Sequence, residues 1–297
     1  MRGIGLAALL LIAPSLCAGT WTVDDDGPAD FNSIQQAIDA LPGGETIVVH
    51  PGKYAAFSLD KRMQIFGLAG PAKPRVHGRS VVQAASSFTI VGLQLDALDV
   101  QAVPQRGRIE DCYLTSTPAI SSFAGEGTLR VTGSPQVIVT RTDVKGFDDD
   151  LNDTPALRVE GSTVAVVACS FLGGSGTVPP KASCGEWGAS GAELVGGSRV
   201  VATDSTFQGG DGAPATTFSQ CGGNGGTGIS TSGSTLELRT CTVIAGKPDL
   251  DGTMERTPES ARTYSLFLAR LAQDEDLLPF LEQVLDLLAA GRLGHLV

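Results

Sequence analysis

Short stretches of the chain alternate apolar with polar residues, which is the pattern of strands that bury one face. Four such stretches follow one another in the second half, at 157–159, 164–166, 195–201 and 236–238. Glycine turns separate them, and no long apolar run interrupts them. The pattern predicts a chain of many short strands joined by turns.

The strands belong to a sequence repeat. Its best copies, 36 residues apart each time, are Cys169–Gly174, Ser205–Gly210 and Cys241–Gly246. Thr142–Val144 and Cys112–Leu114 take the same place at spacings of 27 and 30 residues, and 88–95 resembles an earlier copy. One repeat cannot bury its own apolar face, so the repeats stack and share a core. We expect an all-β parallel β-helix over 19–246, with like residues in ladders about 4.8 Å apart.

The cysteines divide into two groups. Cys112, Cys169 and Cys241 occupy equivalent places in the repeat and are predicted to be small core residues. Cys184 and Cys221 lie in glycine-rich inserted loops at 172–191 and 208–228, 37 residues apart against a repeat of 36. Stacked repeats would bring these two within disulfide distance, so we predict a Cys184–Cys221 disulfide.

The N-terminal 18 residues are predicted to be a secretory signal peptide, cleaved after Ala18. Arg2 precedes an apolar run from Ile4 to Ala13, which is too short to span a bilayer. A lipoprotein signal through Cys17 is disfavoured because Leu16 before it is bulky. The protein is therefore expected outside the cell or at its surface, with the periplasm as an alternative, and with no transmembrane segment.

Helices are predicted at both ends of the repeat domain. Ile34, Ala37, Ile38 and Leu41 form one apolar stripe, with Asn32 as the expected N-cap and Gln35 completing a capping box. The Leu-rich tail, residues 247–297, has a helix start at Thr257 and two apolar stripes, which predict an amphipathic helical hairpin. We expect it to cover the open end of the β-helix; docking to a partner or membrane surface is the alternative.

Composition and charge exclude some functions. The chain has 297 residues, 42% of them hydrophobic, and a net charge of −11. Nucleic-acid binding depends on Lys and Arg, so no nucleic-acid partner is expected. The 38 glycines follow no Gly-X-Y period, which excludes collagen.

The N-terminal part resembles a known family. The resemblance is carried by Trp21–Gly27, Asp30–Phe31, Ser33–Ile38, Thr46–Val49, Pro51–Tyr54 and Ile65–Gly67. These residues are similar to the N-terminal cap and first coils of secreted right-handed β-helix proteins of the pectin-lyase-like superfamily. That resemblance implies a right-handed parallel β-helix with an N-terminal capping helix. It leaves function open, because the superfamily includes lyases, hydrolases, esterases, epimerases and proteins without known activity.

The catalytic motifs of those relatives are missing, so the catalytic residues are unknown. The strongest candidate site is an acidic insertion, whose oxygen ligands would suit Ca²⁺: Asp148, Asp149, Asp150 and Asp153. In the pectate lyases that it would resemble, Ca²⁺ bridges the enzyme and an acidic sugar, and a base is supplied by a neighbouring Arg or Lys such as Arg141, Lys145 or Arg158. A solvated acidic turn is the favoured interpretation, and Asp24–Asp26 is assigned to the cap turn.

Two hypotheses for function remain. The first is an exported β-helix without a catalytic site, acting as a surface scaffold or glycan-binding module with a polysaccharide partner. The second is a Ca²⁺-dependent polysaccharide lyase, or a related uronate-active enzyme, that uses the acidic insertion. Trp187 is a candidate for stacking on a sugar, although it would equally well pin its own loop.

Overall fold

The structure is a computed structural model that describes residues 19–68, 72–115, 126–148, 154–177, 186–214 and 223–248. The chain divides into two units, Met1–Gly252 and Thr253–Val297. The second unit lies outside the described residues, and so do the predicted signal peptide and the predicted helical hairpin. Those predictions therefore stay predictions.

Two parallel sheets contain all the strands of the described ranges. Sheet A has nine strands: β1 (Thr20–Val23), β2 (Thr46–Val49), β5 (Met63–Gly67), β7 (Phe88–Val91), β9 (Arg106–Glu110), β12 (Gln136–Thr140), β15 (Thr163–Val167), β18 (Arg199–Thr203) and β21 (Thr235–Arg239). Sheet B has thirteen: β3 (Lys53–Ala55), β4 (Ser58–Leu59), β6 (Arg75–Gln83), β8 (Gln94–Gln101), β10 (Tyr113–Thr115), β11 (Leu129–Thr132), β13 (Asp143–Lys145), β14 (Leu157–Glu160), β16 (Ser170–Leu172), β17 (Ala192–Val195), β19 (Thr206–Gln208), β20 (Ile229–Thr231) and β22 (Thr242–Ile244).

From β9 onward, each strand pairs in parallel with the strand three elements later. In sheet A, β12 lies between β9 and β15, and β18 lies between β15 and β21. Two series in sheet B follow the same rule, one starting at β10 and the other at β11. The long strand β8 joins the two series, since it pairs with β10 at its start and with β11 at its end. The chain thus passes sheet A once and sheet B twice in each repeat, and the predicted all-β parallel architecture is confirmed.

One helix, α1 (Ile34–Ala40), occurs in the described ranges, where the apolar stripe predicts it. Its buried residues are Ile34, Ala37 and Ile38. The predicted cap was wrong by one residue: the N-cap is Ser33, whose hydroxyl accepts a hydrogen bond from the Gln36 amide at 3.2 Å. Gln36, instead of Gln35, reaches back to the Asn32 amide. Because the helix starts at Ile34, the two capping residues are Ser33 and Gln36, each one position later than predicted.

Like residues stack in the core, as the repeat predicts. Phe171 on β16 pairs with Phe207 on β19, and their rings stack with centroids 5.1 Å apart and an interplanar angle of 8°. Val144 and Val243 continue this ladder on the two neighbouring strands. Both phenylalanines are fully buried, so the repeated positions supply the apolar core.

A second ladder follows the corner that leaves sheet A. Asp111, Arg141, Ala168, Asp204 and Thr240 each adopt a positive φ, between 45° and 53°. A small residue follows each of them, and the hydroxyls of two of these residues accept hydrogen bonds from the previous repeat: the Cys112 amide donates to Thr142 Oγ1 at 3.4 Å, and the Cys169 amide donates to Ser205 Oγ at 3.1 Å. These bonds satisfy buried amides at the turn and hold successive repeats in register.

The glycine-rich insertions contain ordered backbone where they are described. Five segments, 173–177, 186–191, 208–213, 223–228 and 245–247, form what we call the glycine bundle. Backbone hydrogen bonds of 2.7–2.8 Å connect it from Ala189 to Gly174, from Gly210 to Ala189, from Gly226 to Gly210 and from Gly246 to Gly226. A Cβ atom on Gly210 would lie 1.8 Å from the Gly174 carbonyl oxygen, which leaves no space for a side chain.

The predicted core cysteines are free thiols in this structure. Cys112 and Cys169 are buried, and burial raises the pKa of each to about 11 because the thiolate loses its hydration. Cys241, in the last described repeat, is only partly buried and packs against the edge of the core. The prediction is therefore confirmed for the first two and only partly for Cys241.

Gly210→Ala is expected to destabilise the protein strongly, because the added methyl group must displace backbone and not a flexible side chain. The expected cost is about 1–3 kcal/mol or more. Gly43→Ala is the matched control, since a Cβ there comes no closer than 3.7 Å to the Arg62 carbonyl oxygen. Urea unfolding of both variants measures the difference. Equal stabilities would show that the glycine bundle is not tightly packed.

Thiol alkylation of the native protein should separate the cysteines. At pH 8, a thiol with a pKa near 11 is thiolate in only about one molecule in a thousand, so Cys112 and Cys169 should stay unmodified. Cys241 should react first among the three. Peptide mapping by mass spectrometry after iodoacetamide treatment gives the answer, with the urea-unfolded protein as the fully reactive control. Equal labelling of Cys112 and Cys241 would contradict the burial pattern.

Candidate functional site

Of the four predicted calcium ligands in the acidic insertion, only Asp148 lies among the described residues. Asp148 Oδ1 accepts a hydrogen bond from the Ser175 amide at 2.7 Å, and Oδ2 pairs with Lys145 Nζ at 3.2 Å. Asp149, Asp150 and Asp153 lie outside the described residues. The contacts of Asp148 tie the end of β13 to the glycine bundle, which is a structural role that needs no metal.

Of the other predicted site residues, the structure describes Trp187 but not the two cysteines. Cys184 and Cys221 lie outside the described residues, so the disulfide stays a prediction. Trp187 is described and is 64% exposed. Its backbone lies in the glycine bundle, where the adjacent Gly188 amide donates to the Asn224 carbonyl at 2.8 Å. The ring therefore stands on a fixed backbone with most of its surface open to solvent.

Asp24, Asp25 and Asp26 bring their carboxylates within 4.8 Å of one another. The first two already have partners: Asp24 lies 3.5 Å from His50 Nδ1, and Asp25 accepts from the Lys53 amide at 3.0 Å. Burial and these carboxylates raise the pKa of Tyr54 to about 12. The cluster serves the turn after β1, as the sequence indicates, although its geometry would admit a cation.

The two described histidines, His50 and His77, each lie beside a carboxylate. His77 Nδ1 is 3.5 Å from the buried Asp96, which also accepts from the Gly78 amide at 3.0 Å. Within the described ranges, neither imidazole is hydrogen-bonded to a hydroxyl or a thiol. This arrangement does not form a nucleophile–base pair.

Sheet A carries a groove of about 520 Å³ on its outer face, which we call the arginine groove. It crosses β5, β7, β9 and β12 and is lined by Arg62, Met63, Gln64, Ser87, Phe88, Thr89, Arg106, Arg108, Ile138 and Thr140. Alternation along β9 points Arg106 and Arg108 outward, while Gly107 between them leaves room for the Phe88 ring: a Cβ there would lie 2.4 Å from it. The lining that the structure describes contains no carboxylate.

The three arginines of the groove differ in their partners. Arg62 and Arg106 are exposed and form no ion pair with any described residue. Arg108, half-exposed, pairs with Glu110. Glu110 in turn pairs with Arg141, and the guanidinium of Arg141 holds the pKa of the Asp111 carboxyl below its usual value. The groove therefore presents two uncompensated positive charges and a third held at its edge.

Sheet B carries a row of charged residues that, unlike the arginines of the groove, form ion pairs with one another or with nearby acids. The register of four adjacent strands aligns Asp99, Arg130, Arg158 and Glu193, and Arg79 on β6 lies two residues before the position opposite Asp99. Arg79 pairs with Asp99 at 2.5 Å, Arg158 pairs with Glu193 at 2.9 Å, and Arg130 reaches Glu126 and Glu160. Burial raises the pKa of Asp99 in spite of Arg79. Every charge in this row has a partner, so the row stabilises itself.

Sequence reasoning missed the arginine groove. Arg62 lies 44 residues before Arg106, and only the pairing of β5, β7 and β9 brings them onto one face. The available signal was Arg106-Gly107-Arg108, an alternating basic pair just before the repeat copy at Cys112–Leu114. That pattern predicts which side chains of one strand face outward, but it does not predict which strands lie beside it.

Comparison with protein-family models, with curated proteins and with solved structures found no match. The resemblance to the pectin-lyase-like superfamily therefore rests on the residues given above. Among the described residues, no helix has the length and apolar character needed to cross a membrane.

Proposed function

We propose that this protein is an exported right-handed parallel β-helix of the pectin-lyase-like kind, which binds acidic polysaccharide in the arginine groove. The β-helix is supported by strands that pair with every third successor and by ladders of like residues. The N-terminal motifs and the apolar face of α1 support a capping helix at the start. Export is supported by the signal-peptide pattern of residues 1–18.

The observation that carries the binding proposal is that Arg62 and Arg106, in one groove of an acidic chain, form no ion pair with any residue that the structure describes. Guanidinium groups bind carboxylates and sulfates through paired hydrogen bonds. A ligand that supplies those anions gains charge pairing there without breaking an existing ion pair. The groove crosses four strands, a length of about 14 Å at the spacing of parallel strands, which suits an extended polymer.

The lining also specifies how the anions are held. With no carboxylate among the described lining residues, the groove offers a divalent cation no charged ligand, so we expect binding to be direct and independent of calcium. Gln64, Thr89 and Thr140 add neutral hydrogen-bonding groups for hydroxyls. Trp187, which belongs to the glycine bundle and does not line the groove, would offer a separate stacking surface for a sugar ring.

The lyase hypothesis is the alternative. It needs the acidic insertion to hold Ca²⁺, and the one described member, Asp148, already bonds to Ser175 and Lys145. A calcium ion would have to compete with both contacts. The binding module is therefore the better-supported function.

Arg106→Ala should weaken binding to polygalacturonate by about 1.5–3 kcal/mol, the usual contribution of a hydrogen bond to a charged group. Arg199→Ala is the matched control, because Arg199 lies on the outer face of the same sheet, outside the groove, and its removal changes the net charge equally. Isothermal titration calorimetry of both variants, with EDTA present, measures the effect. Equal losses would mean that net charge, and not the groove, attracts the polymer.

Polygalacturonate incubated with the protein and Ca²⁺ should show no rise in the ultraviolet absorbance of unsaturated uronates. The binding hypothesis predicts a flat trace with calcium and with EDTA alike. A calcium-dependent rise that Asp149→Ala and Asp150→Ala abolish would establish the lyase instead. Arg199→Ala serves as the comparison, since Arg199 lies outside both the groove and the acidic insertion.

A further inference from the structure

Glu110 ends β9, two residues after Arg108 of the arginine groove, and holds two arginines at once. One carboxylate oxygen pairs with Arg108 of the groove, and the other pairs with Arg141 at the corner after β12. The Glu110 side chain is only 11% exposed, whereas those of Arg108 and Arg141 are about half exposed. The carboxylate is thus the buried member of a three-residue cluster.

The two strands that adjoin β9 place no charged residue opposite Glu110. Its neighbours on the adjoining strands are Val91 on β7 and Thr140 on β12, which are both uncharged. A carboxylate that is nine-tenths buried is costly without a positive partner. Arg108 and Arg141 are therefore the groups that compensate it.

Arg141 is anchored independently of Glu110. Its Nε donates to Asp111 Oδ1 at 2.7 Å, and its Nη2 donates to Asp111 Oδ2 at 3.0 Å. Arg141 consequently keeps its place when Arg108 moves. Among the described residues Arg108 forms an ion pair with Glu110 alone, although Arg108 also contributes, after Arg141, to lowering the pKa of the Asp111 carboxyl. Arg108 is therefore the arginine that can exchange the Glu110 carboxylate for another.

We propose that Glu110 competes with the ligand for Arg108, and that Arg141 sets the affinity of the groove by compensating Glu110 when Arg108 turns to the ligand. This inference rests on the proposed function and adds regulation to the same site. Glu110 occupies Arg108 while the groove is free. An acidic polymer then has to exchange with Glu110, and the exchange is inexpensive only because Arg141 remains.

If Glu110 competes with the ligand, two substitutions outside the groove should change the affinity for the polymer in opposite directions. Glu110→Gln removes the competing charge with little change of shape, so the affinity for polygalacturonate and for dextran sulfate should rise about two- to fivefold, the range of a partly exposed ion pair. Arg141→Ala leaves Glu110 dependent on Arg108, so affinity should fall by a similar factor. In the double variant, Arg141→Ala should have no further effect. Isothermal titration calorimetry of the four proteins completes the cycle.

Several results would overturn the competition. A lower affinity of Glu110→Gln would show that Glu110 only positions Arg108 for binding. An equal loss from Arg141→Ala with and without Glu110 would show that Arg141 acts through net charge. Thermal unfolding of each variant checks that the fold is retained, and Arg199→Ala again controls for charge.

A measurement without ligand separates this inference from the proposed function. If the wild type binds neither polymer, the proposed function is overturned. Modification of Arg108 by phenylglyoxal, followed by peptide mapping, then still tests the exchange. The rate should rise in Glu110→Gln and fall in Arg141→Ala; unchanged rates would overturn the inference whatever the polymers do.

Discussion

Parallel backbone pairing at a fixed spacing is the constraint on which the rest of this structure depends. Adjacent strands lie about 4.8 Å apart, so each side chain meets the side chain of the equivalent position in the next repeat. Phe171 on Phe207 is favourable because the two rings stack within the core. Arg130 beside Arg158 would be unfavourable, and there Glu160 and Glu193 supply the compensating charge. The same rule governs the glycine bundle, where the segments approach so closely that the equivalent positions must lack a side chain.

The repeat determines how far the fold follows from sequence. Alternation and the 36-residue spacing predict the strands and the Phe171–Phe207 ladder, because pairing in register needs only the period. The period does not say how the inserted residues behave. The glycine segments were expected to be loops, yet hydrogen bonds such as Gly210 to Ala189 order them, since glycine backbone can pack on glycine backbone without a regular strand pattern. The helix cap shows a smaller limit: Asn32 and Ser33 are both good caps, and packing of Ile34 decides between them.

The candidate site follows from sequence less well than the fold does. Acidic clusters such as Asp24–Asp26 are visible because their residues are adjacent, whereas the arginine groove unites Arg62 with Arg106 only through sheet pairing. Composition also points away from it, since a chain of net charge −11 does not suggest a polyanion ligand. The relevant quantity is which charges lack partners, and pairing is a property of three-dimensional contacts. Glu110 illustrates the point, because its charge is compensated by Arg141, which lies in the following repeat and is not adjacent to it in sequence.

An acidic protein can hold an acidic polymer if its charges are distributed as they are here. At physiological ionic strength, exposed charges farther than about 8 Å apart are largely screened, so the net charge acts mainly on the rate of approach. Contact is decided locally, and the local balance differs between the two outer faces. On sheet B the charged row is internally paired, whereas on sheet A two arginines face a groove with no acid in its lining. Glu110, the acid that pairs with Arg108 of the groove, is buried and lies between two cations. Under the proposed function, the negative charge of the whole chain would therefore slow the approach of polymer to every surface, and only the groove would offer contacts that offset this repulsion.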